Sequence, residues 1–199
     1  MLDTQSRSSL RLPPEILTVS GNYFDFLTPS QSEFTIEDIA HGLSHVCRFA
    51  GHSREFYSVA QHCVLVSKIV PQHMALIGLM HDATEAFLGD VTSPLKQLIP
   101  QYKEVEARVE RAIFDRFGLQ LPLPQEVKRA DMIALATEQR DLMPPHDPAR
   151  WTATAGLTPL AETIIPLSPA DARIAFLMRY AELTFIARYG EPPREGHSS

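Results

Sequence analysis

Cysteine is scarce in this chain: Cys47 and Cys63 are the only two in 199 residues, and they form no close-spaced pair. Each sits in an apolar, helix-like context, so both are expected to be buried, reduced thiols, with a disulfide or a thiolate ligand as the alternatives. Also absent is any apolar run approaching the roughly 20 residues that a membrane-spanning helix needs. The N-terminus lacks the apolar core of a signal peptide. These absences predict a cytoplasmic protein without a membrane partner. Positive charge is in deficit as well, with 18 Lys and Arg against 24 Asp and Glu, a formal net charge of -6. A stable, sequence-independent grip on nucleic acid needs a basic face and is not expected, although a local basic pocket for a small anion remains open. Repeats, low-complexity blocks and alternating patterns long enough for a sheet are all missing.

What is present is helical periodicity, in a chain of a length that suits one domain. Residues 1–20 read as a loose lead-in, 21–190 as the domain and 191–199 as a mobile tail. The aromatic stretch from Gly21 to Leu27 suits a short extended piece laid on the core. Thr35 is a good N-cap for a helix carried by Ile36, Ile39, Leu43, Val46 and Phe49, which should end near Gly51. Ser58 caps a second helix with Val59, Cys63, Val66 and Val70 on one stripe and His62 beside it. A third is predicted from about Gln72 to Leu88, a fourth from Gln101 to Phe117 and a fifth from Gln125 to Met143, which Pro144 ends. The Pro- and Thr-rich segment 144–168 suits a surface excursion near the site. Ser168 and Pro169 open the last helix, in which Ile174, Leu177, Met178, Ala181 and Phe185 are the expected buried stripe. The predicted fold is an all-α compact helical bundle.

The third segment carries the chemistry. Ala75 to Leu88 is apolar on almost every side, yet it contains His81, Asp82 and Glu85. Buried charge is costly unless it is paired or coordinates a metal. Imidazole and carboxylate together suit a divalent transition metal, and His62 and Asp131 on neighbouring apolar helices would complete such a site. Singly, His62 also suits a satisfied core histidine, and Asp131 a surface acid.

The order of these residues is more specific than any one of them. His62, then His81-Asp82 nineteen positions later, then Asp131 within Val-Lys-Arg-Ala-Asp, resembles the histidine-aspartate (HD) domain phosphohydrolases. The blocks Asp38-Ile-Ala-His-Gly-Leu-Ser, Cys47-Arg-Phe, Tyr57-Ser-Val-Ala-Gln-His62 and His81-Asp-Ala-Thr-Glu-Ala-Phe-Leu-Gly-Asp-Val-Thr-Ser-Pro94 are similar to the 5'-deoxynucleotidase-like subgroup.

That resemblance implies an HD-type bundle with one divalent ion per subunit, of the cobalt, manganese or zinc class, with magnesium also possible. His62, His81, Asp82 and Asp131 would be its ligands. It further implies Glu85 as catalytic acid/base, Asp90 as a second acid facing the substrate, and Arg48 as a phosphate contact. His52 and Lys96 are added as candidate substrate contacts. The expected substrate is a small nucleotide, and the expected reaction is 5'-deoxynucleotidase hydrolysis to nucleoside and phosphate. Release of tripolyphosphate from a nucleoside triphosphate is the alternative, and a non-catalytic metal- and nucleotide-binding regulator is the rival of another class. Relatives of this kind commonly pair, so a homo-oligomer is expected.

Overall fold

In a computed structural model the described residues are 12–147, 151 and 154–190. The expected tail, the first eleven residues of the lead-in and residues 148–150, 152 and 153 of the irregular segment lie outside them. The helices are α1 (Ile36–His45), α2 (Val59–Ile69), α3 (Ala75–Met80), α4 (Glu85–Leu88), α5 (Ser93–Lys96), α6 (Pro100–Phe117), α7 (Gln125–Leu142) and α8 (Pro169–Tyr189). The expected start signals operate. The Thr35 hydroxyl and the Asp38 side chain form a reciprocal capping box on α1, Ser58 accepts from Gln61 N at α2, and Ser168 accepts from Asp171 N at α8. Each such cap contributes about 1 kcal/mol.

Helix α2 is the centre of the bundle, packed on α3, α7 and α8, while α1 lies across α4 and α8. Its side chains Val59, Cys63 and Val66 meet Leu79, Met80, Val127 and Phe176 in one hydrophobic cluster. Cys63 is buried, Cys47 is half-buried, and both are free thiols. Gly42 permits the α1–α4 crossing: a Cβ there would stand 2.6 Å from the Ala86 carbonyl oxygen. Among the described residues, no helix is long and apolar enough to cross a membrane.

Three expectations are corrected. A small antiparallel sheet does form: β1 (Glu15–Leu17) pairs with β2 (Tyr23–Asp25), so part of the lead-in is structured. Aromatic packing supplies the reason that short strands persist, since Phe24 is fully buried and stacks on Phe87 of α4 at 3.8 Å. The first helix stops at His45 rather than near Gly51; Arg48–Gly51 is a separate tight turn, with Phe49 and Ala50 in left-handed conformations at φ 57 and 51. The third helix is broken at the His81-Asp82 pair. There the Gly78 carbonyl, which an unbroken helix would give to the Asp82 N–H, accepts from the His81 ring at 2.9 Å. Residues 81–84 then turn through shorter-range bonds, including Glu85 N to Asp82 O at 2.9 Å.

The buried stripe of α8 is corrected too. Ala172, Phe176 and Leu183 face the core, whereas Ile174, Met178 and Phe185 are 52, 67 and 54% exposed, and Leu177 is half-buried. Arg179 explains the choice of face: its guanidinium donates to Ser67 Oγ at 3.1 Å and Ser67 O at 3.0 Å on α2, fixing the helix rotation.

Candidate metal centre

The four expected ligand residues converge. His62 comes from α2, His81 and Asp82 from the turn between α3 and α4, and Asp131 from α7. His62 Nε2 lies 3.2 Å from Asp131 Oδ1 and 3.5 Å from Asp82 Oδ2, and His81 Nε2 lies 3.2 Å from Asp82 Oδ2. One donor atom each from His62, His81 and Asp131 falls within a 4.8 Å cluster.

The protons on the two rings identify what this cluster suits. A carbonyl only accepts, so His81 Nδ1 carries the proton that it donates to Gly78 O. His62 Nδ1 likewise donates to Glu138 Oε1 at 2.6 Å. In the neutral rings both Nε2 atoms therefore present lone pairs, and both are buried without a hydrogen-bond partner. Lone pairs facing carboxylates at these distances repel unless a positive charge lies between them. The donor set thus fits a divalent cation, with two nitrogens oriented from behind as metal-ligating imidazoles are.

The electrostatics point the same way. Burial opposes charge on His81 and Asp82 alike, yet each holds the other ionised, His81 well above the ordinary imidazole value and Asp82, with His62 and Arg48 also near, well below the carboxylate range, so the cluster is built around a positive charge at Nε2, a proton or a cation. Burial likewise opposes ionisation of Asp131, and the His62 contact overcomes it. A second cluster, Cys63 with His81 and Asp82, suits an ion less well, since burial pushes the Cys63 thiol up to about 11.

Around this centre stand the remaining candidates. Arg48 Nη1 lies 3.9 Å from both Asp82 and Asp90, its Nη2 donates to Glu138 Oε2 at 3.1 Å, and its buried Nε has no partner. The loop that carries it is clamped by bonds from Arg48 N to Tyr57 O and from Val59 N to Val46 O. Such left-handed backbone as the Phe49–Ala50 pair costs of order 1–3 kcal/mol per residue and persists where surrounding structure imposes it. Glu85, at the start of α4, is 5% exposed, and its Oε2 is unpartnered. Burial, aided by the charges of Asp82 and Asp90, raises its pKa well above the ordinary glutamate value. Asp90 follows Gly89, whose φ of 76 makes the bend; burial and Asp82 raise its pKa despite Arg48.

Lys96 turns inward, 3.9 Å from Glu85 Oε1, but its amine is tied to Glu106 at 2.6 Å. His52 does not join the group: it is exposed, and among the described residues only its backbone N–H is engaged, with Phe49 O. The irregular segment reaches the rim of the site, where Trp151 meets Phe49 with ring centres 6.1 Å apart and Phe49 in turn lies beneath Arg48.

Glu138 is the residue that the motifs do not point to. It is fully buried and binds both His62 and Arg48, which together hold its carboxyl down to about 2 against the opposing effect of burial. Its signal in the sequence is positional: it follows Asp131 by seven residues, about two turns along the same face of α7.

A helical bundle with His62, His81-Asp82 and Asp131 converging from three of its elements defines an HD-domain protein. The family described as 5'-deoxynucleotidase YfbR-like matches residues 43–142, and the chain belongs to that family. It is 44% identical over 175 residues to the uncharacterised protein YfdR of Escherichia coli (strain K12), covering 87% of this chain and 97% of that protein. An uncharacterised protein of Rhodobacter capsulatus is 39% identical over 122 residues, 56% of this chain and 62% of that one. A 5'-deoxynucleotidase of Vibrio atlanticus is 31% identical over 87 residues, 39% of this chain and 42% of that protein.

Proposed function

We propose that this chain is a metal-dependent phosphohydrolase that cleaves the 5'-phosphate ester of a small nucleotide, a deoxynucleoside monophosphate in the first instance, to nucleoside and orthophosphate. The observation that carries the reading is the pair of unpartnered His62 and His81 Nε2 atoms opposite Asp82 and Asp131, with Arg48 and Glu85 on the rim. Membership of the YfbR-like family and the name of the Vibrio atlanticus relative support the reaction class.

His62, His81, Asp82 and Asp131 would hold one divalent ion. Such an ion polarises a phosphoryl oxygen and lowers the pKa of a water, supplying a nucleophile near neutral pH. Arg48 offers its unpartnered Nε–H, beside its Nη groups, to phosphate oxygens and offsets the charge that gathers there. Glu85 takes the proton of the attacking water at Oε2, or holds that water in line, and its pKa, raised by burial above the ordinary glutamate value, makes it a stronger base than a solvated carboxylate. Asp90, just past the Gly89 bend, accepts from a sugar hydroxyl.

Lys96 would suit a longer phosphate chain, but Glu106 at 2.6 Å and Glu85 at 3.9 Å already offset its charge, and His52 stands outside the group. The monophosphate therefore leads the triphosphate. Intact Glu85 and Asp90 count against a non-catalytic regulator. The test is a nucleotide panel with added cobalt, manganese or zinc and separated products. Orthophosphate from deoxynucleoside monophosphates is the expected result; tripolyphosphate transfers the reading to triphosphates, and tight binding with turnover at background transfers it to the regulator.

A further inference from the structure

Cys63 stands beside the candidate centre and has no part in the proposed reaction. It follows His62 on α2, about 100° further round the helix, and it is fully buried. Its Sγ, a ring nitrogen of His81 and a carboxylate oxygen of Asp82 lie within 4.8 Å of one another. The other donor group, His62 with Asp131, also includes His81. Two successive residues of α2 thus serve two donor groups that share one histidine.

His81 can serve only one group at a time. Its Nδ1 proton is committed to Gly78 O at 2.9 Å, so in the neutral ring Nε2 holds the single lone pair available to an ion. That nitrogen is buried without a hydrogen-bond partner, and the residue as a whole is 7% exposed. An ion that takes Nε2 on the Cys63 side therefore denies it to an ion held by His62 and Asp131. The donor types decide which ion goes where. Carboxylate and imidazole suit manganese or cobalt, whereas thiolate sulfur selects soft ions. A hard ion gains little from sulfur and leaves the buried thiol protonated. With a soft ion the S–H bond breaks, sulfur keeps the electron pair for its bond to the ion, and the proton leaves to water; nothing is oxidised or reduced.

We propose that Cys63, His81 and Asp82 form a second site, for a soft divalent ion of the cadmium class, whose occupation excludes the ion of the His62 and Asp131 set. The proposal rests on the reading of the metal centre and not on the reaction assigned to it. Its consequence is inhibition by soft ions through capture of His81, with the nucleotide pocket itself untouched.

Cadmium ion alone, added to the metal-stripped full chain, should raise a sulfur-to-cadmium charge-transfer band in the ultraviolet that saturates at a single ion per chain. Cys47→Ser should keep the band and Cys63→Ser should lose it. Asp131→Ala, with its circular dichroism spectrum unchanged, separates the two sites: the cadmium band should remain, while manganese, followed by electron paramagnetic resonance, should no longer bind. Cadmium nuclear magnetic resonance of the Cys47→Ser chain leaves Cys63 intact and should show the downfield shift of a sulfur ligand. A band that persists in Cys63→Ser, a band lost with Asp131→Ala, or a cadmium resonance without sulfur overturns the proposal. Manganese bound by the parent chain with no cadmium–sulfur band overturns this proposal alone, whereas binding of neither ion overturns the metal centre with it.

Discussion

The Glu138 carboxylate accepts from His62 Nδ1 at 2.6 Å and from Arg48 Nη2 at 3.1 Å, so one buried acid orients both a candidate ligand and the candidate phosphate contact. Glu138→Gln keeps an acceptor for the histidine but removes the charge that both partners face. Metal affinity is expected to fall about 10–100-fold, the usual cost of losing such a supporting group, with kcat falling alongside. Titration of the metal-stripped protein by calorimetry checks the first, and steady-state kinetics the second. Glu138→Ala additionally leaves Arg48 buried without its nearest anion and should destabilise the fold by about 3–5 kcal/mol in urea unfolding.

As the proposed base, Glu85 is expected to set the acid limb of activity. A base works when deprotonated, and burial among Asp82 and Asp90 raises its pKa well above the ordinary glutamate value. Accordingly kcat/KM should rise with pH through that elevated value, rather than level off in the acid range of a solvated glutamate. In Glu85→Gln the limb should disappear together with about 10²–10⁴ of the rate. A pH–rate profile with the same acid limb in both proteins would assign it to another group.

Gly42 lets α1 and α4 touch. A methyl group there meets the Ala86 carbonyl at 2.6 Å and the Ala86 Cα at 2.9 Å, both backbone atoms that yield only if α4 moves. Gly42→Ala should cost about 1–3 kcal/mol of stability and displace Glu85 at the head of α4. Thermal unfolding and kcat should fall together, whereas Gly21→Ala, in open space but at a φ of +85, should affect stability without affecting kcat.

Asp38 ties the hairpin loop to α1. Its carboxylate accepts from Ser20 N at 3.0 Å, Ser20 Oγ at 3.0 Å and Thr35 N at 2.9 Å. Burial opposes ionisation, but these donors prevail and lower its pKa below the ordinary 3.8. A depressed folded-state pKa stabilises above the unfolded value, and that stabilisation is lost as pH falls through the folded one. Asp38→Ala should therefore lower stability by about 2 kcal/mol near neutrality, with the gap to the parent narrowing below about pH 4. Urea unfolding at pH 7 and pH 3 measures both.

Much of this was legible in the residues because local chemistry fixes it. Thr35, Ser58 and Ser168 cap helices whatever lies beyond them, and His62, His81-Asp82 and Asp131 carry a spacing that converges in the bundle. What escaped depends on tertiary contacts. The break at His81 follows from the His81 ring taking the Gly78 carbonyl, a competition that periodicity does not register. The rotation of α8 is decided by Arg179 reaching Ser67, which hydrophobicity alone ranks below Ile174 and Met178. Glu138 was hidden because a glutamate late in an amphipathic helix has the pattern of a solvated one.

Metal content of purified variants, read beside hydrolysis of a deoxynucleoside monophosphate, tests the central claim most directly. His81→Ala and Asp82→Ala should contain little metal and show no turnover, while Glu85→Ala should retain about one ion per chain and lose rate. An Asp82→Ala protein that is free of metal yet still active would contradict the account.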